Sequence, residues 1–305
     1  MNDEIEASEV YDLYVGVVIM LMVSAGLFLI GRRIAIVAPR WVTNVLAILT
    51  ILGVAAYVVY LRDNVLMAIM LPYSNLVVLG NWLPPGVGFL GGLAWIRVYG
   101  GRLRKGAYTA VLFAVGLFAL LHPLLGEPPE CKNDWRGYEL DRFEGPNENV
   151  DVCLQTSDAT CSAACAATVL MLADIEANEG ELARLSLTRK GTTWQGLYRG
   201  LKLKTAGTAW DVDVFYCEAD ELPDLIGSPI ILAVGIPRGT DVDRKYIEEY
   251  GWVPGQLHSV VLLGFVDNGR ALIGEPTPDI GLETWSKEEL ALLWRGVGLR
   301  LVSRW

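Results

Sequence analysis

Hydrophobic positions divide the chain into a front of long apolar runs and a back in which apolar and polar residues alternate. Charged residues are absent from four stretches of the front, which cover 13–31, 41–61, 64–96 and 106–126. A helix of roughly 20 apolar residues is long enough to cross the hydrocarbon core of a bilayer. The pattern therefore predicts an all-α transmembrane region, 1–126, with a lipid bilayer as its partner. We place its four spans at about 13–31, 41–61, 79–97 and 107–126.

The third apolar run is longer than one span requires and contains Pro72, Pro84 and Pro85. Because proline disrupts a helix interior, the run is expected to be divided. We expect 64–78 to form an interfacial or re-entrant piece before the third span. The alternative is that 64–83 spans the membrane and 84–96 is irregular.

The back of the chain shows both helical and strand periodicity, which predicts an α+β domain over 151–305. Residues 127–150 have the proline-rich, charged composition of a linker, or of an ordered strap on the domain. Helices are expected near 161–173, 178–186, 193–204, 219–225 and 286–294. Strands are expected near 211–217, 228–234, 258–265, 269–274 and 296–303. A turn at Asp267, Asn268 and Gly269 predicts a hairpin between the third and fourth of these strands.

Charge is distributed unevenly between the two parts. Residues 1–127 carry 8 Lys/Arg and 7 Asp/Glu, a net of +1, whereas residues 128–305 carry 17 and 28, a net of −11. An acidic domain repels phosphates, and no P-loop pattern occurs, so neither nucleic acid nor a nucleotide is expected as a partner.

Basic residues predict the orientation of the membrane region. Arg32, Arg33 and Arg40 lie between the first two spans, and the run from Arg97 to Lys105 lies between the last two. Lys and Arg remain on the cytoplasmic side of a membrane. The sequence therefore predicts a multi-pass protein of the plasma or inner membrane, with the N-terminus and the acidic domain outside the cytoplasm.

All five cysteines lie behind the last span, at positions 131, 153, 161, 165 and 217. In an oxidising compartment an odd number leaves at least one thiol free. Cys131 and Cys153 are one possible pair, and Cys165 and Cys217 either pair or stay buried as thiols; the pattern does not decide between them. With one histidine in this domain and no C-x-x-C, no metal or other cofactor is expected.

Three of the domain's residues form a candidate chemical group. Cys161 opens an alanine-rich helix, where the positive end of the helix dipole favours a thiolate. His258 begins a buried strand, and the returning strand of the predicted hairpin brings Glu275 alongside it. Nucleophile, base and orienting carboxylate are the parts of a thiol hydrolase.

Two blocks, Gln155…Cys161-Ser-Ala-Ala-Cys165 and His258…Glu275-Pro276, resemble the signature of the bacterial double-glycine-leader (bacteriocin-processing) cysteine peptidases. The resemblance covers about 150–305. It implies a papain-like fold, Cys161 as nucleophile, His258 as general base and Glu275 as the group that orients it. It also implies an oxyanion hole made by the Gln155 amide and the Cys161 backbone N–H. Ser162 stands where the family has glycine, and Glu275 where it has aspartate.

The sequence thus predicts a membrane-anchored, extracytoplasmic cysteine peptidase (a hydrolase) acting on a peptide or protein substrate. Two alternatives remain open, because Cys–His chemistry does not fix the acyl donor and the two departures could mark decay. They are a catalytically inactive peptide-binding module of the same fold, and a thiol-dependent amidase or acyltransferase with a non-peptide substrate. Residues 236–256 lead into His258 and are expected to form a flap beside the cleft or a solvated hairpin. The oligomeric state is not predicted.

Overall fold

A computed structural model describes the backbone of residues 2–140, 149–266 and 269–304, with side chains from residue 10 onward in these ranges. The chain forms two compact units, Met1–Leu125 and Gly126–Trp305. The predicted turn residues Asp267 and Asn268 lie outside the described residues, as does part of the segment 127–150.

In its described residues the first unit has helices joined by short turns and contains no strand. Its helices are α1 (Asn2–Val37), α2 (Arg40–Ala56), α3 (Leu66–Met70), α4 (Leu76–Leu79), α5 (Leu83–Arg97) and α6 (Arg102–Leu121). A π-helical turn, Tyr57–Leu61, extends α2. Within the described residues, four helical stretches are long and apolar enough to cross a membrane, namely Val10–Val37, Arg40–Leu61, Leu76–Arg97 and Arg102–Leu124. The prediction of four apolar helices is confirmed.

The proline pair in the third apolar run begins a helix. Pro84 and Pro85 occupy the first turn of α5, where a backbone N–H has no intrahelical acceptor and proline costs little. Residues 84–96 are therefore helical, and the alternative in which they are irregular is wrong. The preceding part, 64–78, contains the short helix α3, a bend and the start of α4, and the third apolar stretch begins at Leu76, three residues before the predicted start of the third span.

Glycines allow α1 and α5 to approach closely. A Cβ atom at Gly92 would lie 2.1 Å from the carbonyl oxygen of Phe28, and one at Gly88 would lie 2.5 Å from that of Ser24. Small residues four positions apart are typical of helix contacts in membranes, where close backbone packing replaces the hydrophobic effect.

The second unit contains helices and strands, so the α+β prediction is confirmed. Its helices are α7 (Cys161–Leu172), α8 (Glu179–Leu185), α9 (Trp194–Lys204), α10 (Leu222–Leu225), α11 (Lys245–Glu248) and α12 (Lys287–Leu293). Its strands are β1 (Asp134–Glu139), β2 (Asn149–Leu154), β3 (Trp210–Tyr216), β4 (Ile230–Val234), β5 (His258–Val266), β6 (Arg270–Glu275), β7 (Gly281–Trp285) and β8 (Trp294–Ser303). The helices and strands expected from periodicity lie at their expected places. β1, β2, β7 and α11 have no counterpart among the expected elements.

The strands form two antiparallel sheets. β1 pairs with β2, and the other six strands follow the order β3-β8-β4-β5-β6-β7. Helix α7 packs against β2 and β5. Its residues from Ala163 to Ala167 have almost no exposed surface, because alanine side chains let the helix lie close to the strands. A helical lobe and a sheet lobe thus meet along α7 and β5, the two-lobed arrangement that a papain-like fold implies.

Candidate active site

The thiol of Cys161 lies at the start of a helix. Cys161 is the first residue of α7, and no side chain caps the helix at the preceding residue, Thr160. The N–H groups of the first turn have no intrahelical acceptors, so the positive end of the helix dipole lies at the thiol.

His258 and Glu275 form an ion pair on neighbouring strands. β5 and β6 pair with Val261 opposite Gly274, which puts the next residue, Glu275, diagonal to His258 on one face of the sheet. The imidazole Nε2 lies 2.7 Å from Glu275 Oε1, and the side chain of Glu275 is only 3% exposed. The same oxygen accepts hydrogen bonds from the backbone N–H and the hydroxyl of Thr277, at 3.0 and 2.7 Å. These bonds fix the carboxylate against the ring.

The electrostatics of the site favour a thiolate beside an imidazolium. Burial by itself would raise the pKa of the Cys161 thiol, but the hydrogen bond and positive charge of His258 outweigh it, and the resulting pKa is lowered. Burial by itself would lower the pKa of His258, but hydrogen bonds and charges from Cys161 and Glu275 raise it to about 10. A low-pKa thiol beside a protonated imidazole is the arrangement in which cysteine acts as a nucleophile.

The other four thiols have the opposite electrostatics. All five cysteines lie in the described ranges and are free thiols, so neither pairing considered from the sequence is formed. Burial raises the pKa of Cys131 and of Cys217 to about 11, and it raises the pKa values of Cys153 and Cys165 further. Cys165, one helical turn beyond Cys161, donates from its buried thiol to the carbonyl of Ser259 at 3.2 Å. It is a core residue.

Hydrogen bonds to two different parts of the chain fix the segment that contains Gln155. It directly follows β2, and its backbone N–H donates to the carbonyl of Pro276, next to Glu275, at 2.7 Å. The following residue, Thr156, donates its N–H and its hydroxyl to the two carboxylate oxygens of the buried Glu179, at 2.7 and 2.6 Å. The Gln155 side-chain oxygen is buried and has no hydrogen-bond partner among the described residues.

Ser162 and Ser259, which are adjacent in sequence to Cys161 and His258, form a second side-chain contact between the helical lobe and the sheet lobe. The hydroxyls of Ser162 and Ser259 are 2.8 Å apart, and both residues are buried. Each directly follows a site residue, Ser162 after Cys161 and Ser259 after His258. Ser162 therefore links the helical lobe to the sheet lobe through its hydroxyl.

The segment 236–256 reaches the site through Trp252. The indole ring meets the His258 imidazole edge-on with centroids 6.0 Å apart, and it meets the Trp285 ring at 6.2 Å. Segment 236–256 was expected to be either a flap beside the site or a solvated hairpin. The contact of Trp252 with His258 favours the flap. Sequence reasoning missed Trp252, Glu179 and the Ser162–Ser259 contact. Their partners are distant along the chain, and no local pattern indicates them.

In the described ranges, no group of three or more His, Cys, Asp or Glu side chains is arranged to hold a metal ion. The side chains that converge are one thiol, one imidazole and one carboxylate, beside the fixed Gln155 segment. A thiol, an imidazole and a carboxylate are the groups used for nucleophilic chemistry at an acyl carbon.

Neither a protein-family model nor a curated protein matches the chain. Among solved structures, the chain is similar to the peptidase domain of Streptococcus ComA, described as a bi-functional ABC transporter involved in a quorum-sensing pathway. The identity is 23%, the TM-score is 0.39, and the match covers 50% of this chain and 96% of that one. It is also similar to a double glycine motif protease from an AMS/PCAT transporter in complex with the leader peptide, with 20% identity, TM-score 0.38, and coverage of 50% and 91%. The peptidase domain of Streptococcus mutans ComA matches at 22% identity and TM-score 0.34, with coverage of 50% and 98%.

Proposed function

We propose that the chain is a membrane-anchored cysteine peptidase that hydrolyses peptide bonds with Cys161, His258 and Glu275. The observation that carries the proposal is the arrangement of these three groups. The thiol at the start of α7 has a lowered pKa because of His258, and His258 is bonded through Nε2 to a buried carboxylate. Because Glu275 occupies Nε2, we assign the hydrogen bond between His258 and the thiol to the other ring nitrogen, Nδ1, which then carries the proton that the reaction needs.

The reaction proceeds in two halves. The Cys161 thiolate attacks the peptide carbonyl carbon, a C–S bond forms, and the carbonyl oxygen becomes an oxyanion. The tetrahedral intermediate collapses, the C–N bond breaks, and His258 gives its proton to the leaving amine. Water then attacks the thioester while His258 accepts a proton from it. The C–S bond breaks, and the carboxylic acid and the thiolate–imidazolium pair are restored.

Gln155 supplies the oxyanion hole in this proposal, together with the backbone N–H of Cys161. A donor is effective only if it is fixed before the charge develops, and the bonds to Pro276 and Glu179 fix the Gln155 segment. One such donor stabilises the transition state by about 3–4 kcal/mol.

The two departures from the family pattern are compatible with activity. Glu275 reaches His258 at 2.7 Å despite its additional methylene group, and Thr277 holds it there. Ser162 uses its hydroxyl to bind Ser259. Because both residues make specific bonds at the site, they do not support the alternative of a decayed binding module.

Thiol alkylation of the full chain in detergent tests the ion pair. Iodoacetamide is expected to label Cys161 rapidly well below pH 8.5, because the thiolate already forms there beside the imidazolium. The other four thiols, whose pKa values are raised, serve as internal controls and should react slowly. In His258→Ala the burial of Cys161 remains without the imidazolium, so the thiol pKa is at or above its ordinary value. About 1% of the thiol or less is then ionised at pH 6.5, and the rate should fall by about 100-fold.

The same experiment in Glu275→Ala should give an intermediate loss, since the imidazolium loses its counter-charge. Above pH 10 the imidazole of the unaltered chain deprotonates and the pair is lost. Cys161 labelling that rises only near pH 8.5 in the unaltered chain, and that is unchanged in His258→Ala, would contradict the proposal.

We also propose that this site lies outside the cytoplasm. In the helical unit, the Arg97 guanidinium donates to the carbonyl of Ala38, and Arg40 lies 4.6 Å from the centre of the Tyr99 ring. The two basic connections therefore lie together at one end of this unit. Such clustering supports a cytoplasmic location for that end and the opposite side for the chain that follows α6.

Reporter fusions after Gly126 check this orientation. Alkaline phosphatase, which folds only after export, should be active at this position, and green fluorescent protein should not fluoresce there. A matched pair of fusions after Gly100, within the second basic connection, should give the reverse result. Phosphatase activity at Gly100 and fluorescence at Gly126 would place the acidic unit in the cytoplasm instead.

A further inference from the structure

A cavity of about 710 Å³ adjoins His258 and Glu275. Its walls come from the flap segment 236–256, from β6 and β7, and from α12. Four aromatic residues contribute to its lining, namely Tyr246, Tyr250, Trp252 and Trp285. This volume is typical of binding pockets for small ligands and exceeds that of any amino-acid side chain.

The cavity has an excess of negative charge. In addition to Glu275, the carboxylates of Glu249, Glu283 and Glu289 line it, whereas its basic lining residues are Arg270 and His258, which is already paired with Glu275. The Arg270 guanidinium is directed to the backbone carbonyl and hydroxyl of Thr284, at 2.7 and 3.2 Å. The carboxylates therefore outnumber the basic groups that balance them.

Among the carboxylates that line the cavity, Glu283 is influenced by two others, Glu275 and Glu289. Its Oε1 accepts a hydrogen bond from the Trp285 indole N–H at 2.6 Å, which holds a carboxylate against an aromatic ring. Burial raises the pKa of Glu283, and the negative charges of Glu275 and Glu289 add to this shift, against the bond from Trp285 and the charge of His258. A bound cation would relieve the repulsion, and aromatic rings attract cations through their faces.

The position of the cavity relative to the catalytic groups indicates which part of a peptide would enter it. His258 protonates the leaving amine, so the segment that follows the scissile bond must lie on the His258 side. His258 forms part of the cavity wall, whereas Cys161 does not. In the proposed mechanism the acyl side of the substrate, by contrast, lies against Cys161 and the Gln155 segment.

We propose that this cavity binds a basic side chain, lysine or arginine, at the residue directly after the scissile bond. This inference rests on the proposed peptidase function and adds a preference on the leaving side. The alkyl part of the side chain packs against the aromatic rings, and its charged group lies among Glu249, Glu283 and Glu289. An acidic residue at that position is repelled by the same carboxylates.

Cleavage of matched peptide mixtures by the full chain in detergent tests the inference. The mixtures are randomised before the bond and carry lysine, norleucine or glutamate after it. We expect kcat/KM for lysine to exceed that for norleucine by about tenfold, and that for glutamate to be lower still. Glu283→Gln keeps an acceptor for the Trp285 indole and removes the charge, so it should reduce the lysine preference to about threefold or less.

Glu288→Gln is the matched control, because Glu288 is an exposed residue of α12 that is not part of the cavity lining. It should leave the lysine preference unchanged. Cleavage without a basic preference, or with a preference that Glu283→Gln does not alter, overturns the inference and leaves the peptidase function standing.

The absence of cleavage with every mixture counts instead against the proposed function. Retention of the same peptides on the Cys161→Ala chain then decides the inference separately, since binding does not require the thiol. Stronger retention of lysine than of norleucine peptides supports a cation-binding cavity, and equal retention overturns it.

Discussion

Replacing Cys161 by alanine is expected to abolish peptide cleavage, with kcat reduced by about 10⁴-fold or more. In the proposed mechanism the Cys161 thiolate forms the covalent bond to the substrate, and the pKa values of the other four thiols are raised. Alanine favours the helix at this position, so the circular dichroism spectrum and the unfolding transition should remain as they are. Release of new amino termini from a peptide mixture, followed by mass spectrometry, measures the loss.

Cys165→Ala is the matched control for this prediction. Cys165 lies one turn further along the same helix and its thiol is buried against the Ser259 carbonyl. Its removal should lower the free energy of unfolding by about 1 kcal/mol and leave kcat within about tenfold. Turnover that survives in Cys161→Ala and disappears in Cys165→Ala would show that the nucleophile has been assigned to the wrong cysteine.

The positions of the three candidate groups could be predicted from the sequence because each depends on a local pattern. An alanine-rich run with a cysteine at its first position indicates a helix that begins at Cys161. A hairpin places the end of its second strand beside the start of its first, which brings Glu275 to His258. These two relations require only secondary structure and register, and the structure has both.

The supporting groups could not be predicted, because they depend on contacts between distant parts of the chain. Glu179 binds the backbone and hydroxyl of Thr156 across 23 residues, and Ser162 meets Ser259 across 97. A glutamate in the first turn of a helix and a serine in a strand have many ordinary roles in a sequence. Only the packing of α7 between β2 and β5 gives them their partners.

The start of α5 and the strand β1 also depend on structural context that the local sequence does not contain. The pair Pro84-Pro85 was consistent with a helix start or with irregular chain, and the choice depends on the turn of helix in which the pair falls. β1 lies in a segment with linker composition, and its pairing with β2 depends on the register from Asp134 to Glu139. The composition of a segment indicates whether it can be exposed to solvent. Whether it forms a strand depends on a neighbouring strand with which it can pair, and composition does not reveal that neighbour.

Gln155→Ala is expected to lower kcat by about 10²- to 10³-fold without slowing the alkylation of Cys161. The two effects separate because the Gln155 side chain acts on the oxyanion, which alkylation does not form, whereas the ion pair involves only Cys161, His258 and Glu275. The segment should keep its place in the variant, since its bond to Pro276 uses the backbone N–H and Thr156 remains bound to Glu179.

Gln155→Glu sharpens this test, because glutamate has nearly the same shape but offers no N–H donor and brings a negative charge. It should lose at least as much kcat as the alanine variant, since a carboxylate repels the developing oxyanion. Full activity in both variants would remove Gln155 from the site. Equal losses of kcat and of alkylation rate would instead show that Gln155 supports the thiolate–imidazolium pair. The combination of a slow peptidase with a fully reactive thiol is what distinguishes an oxyanion donor from a group that holds the site together.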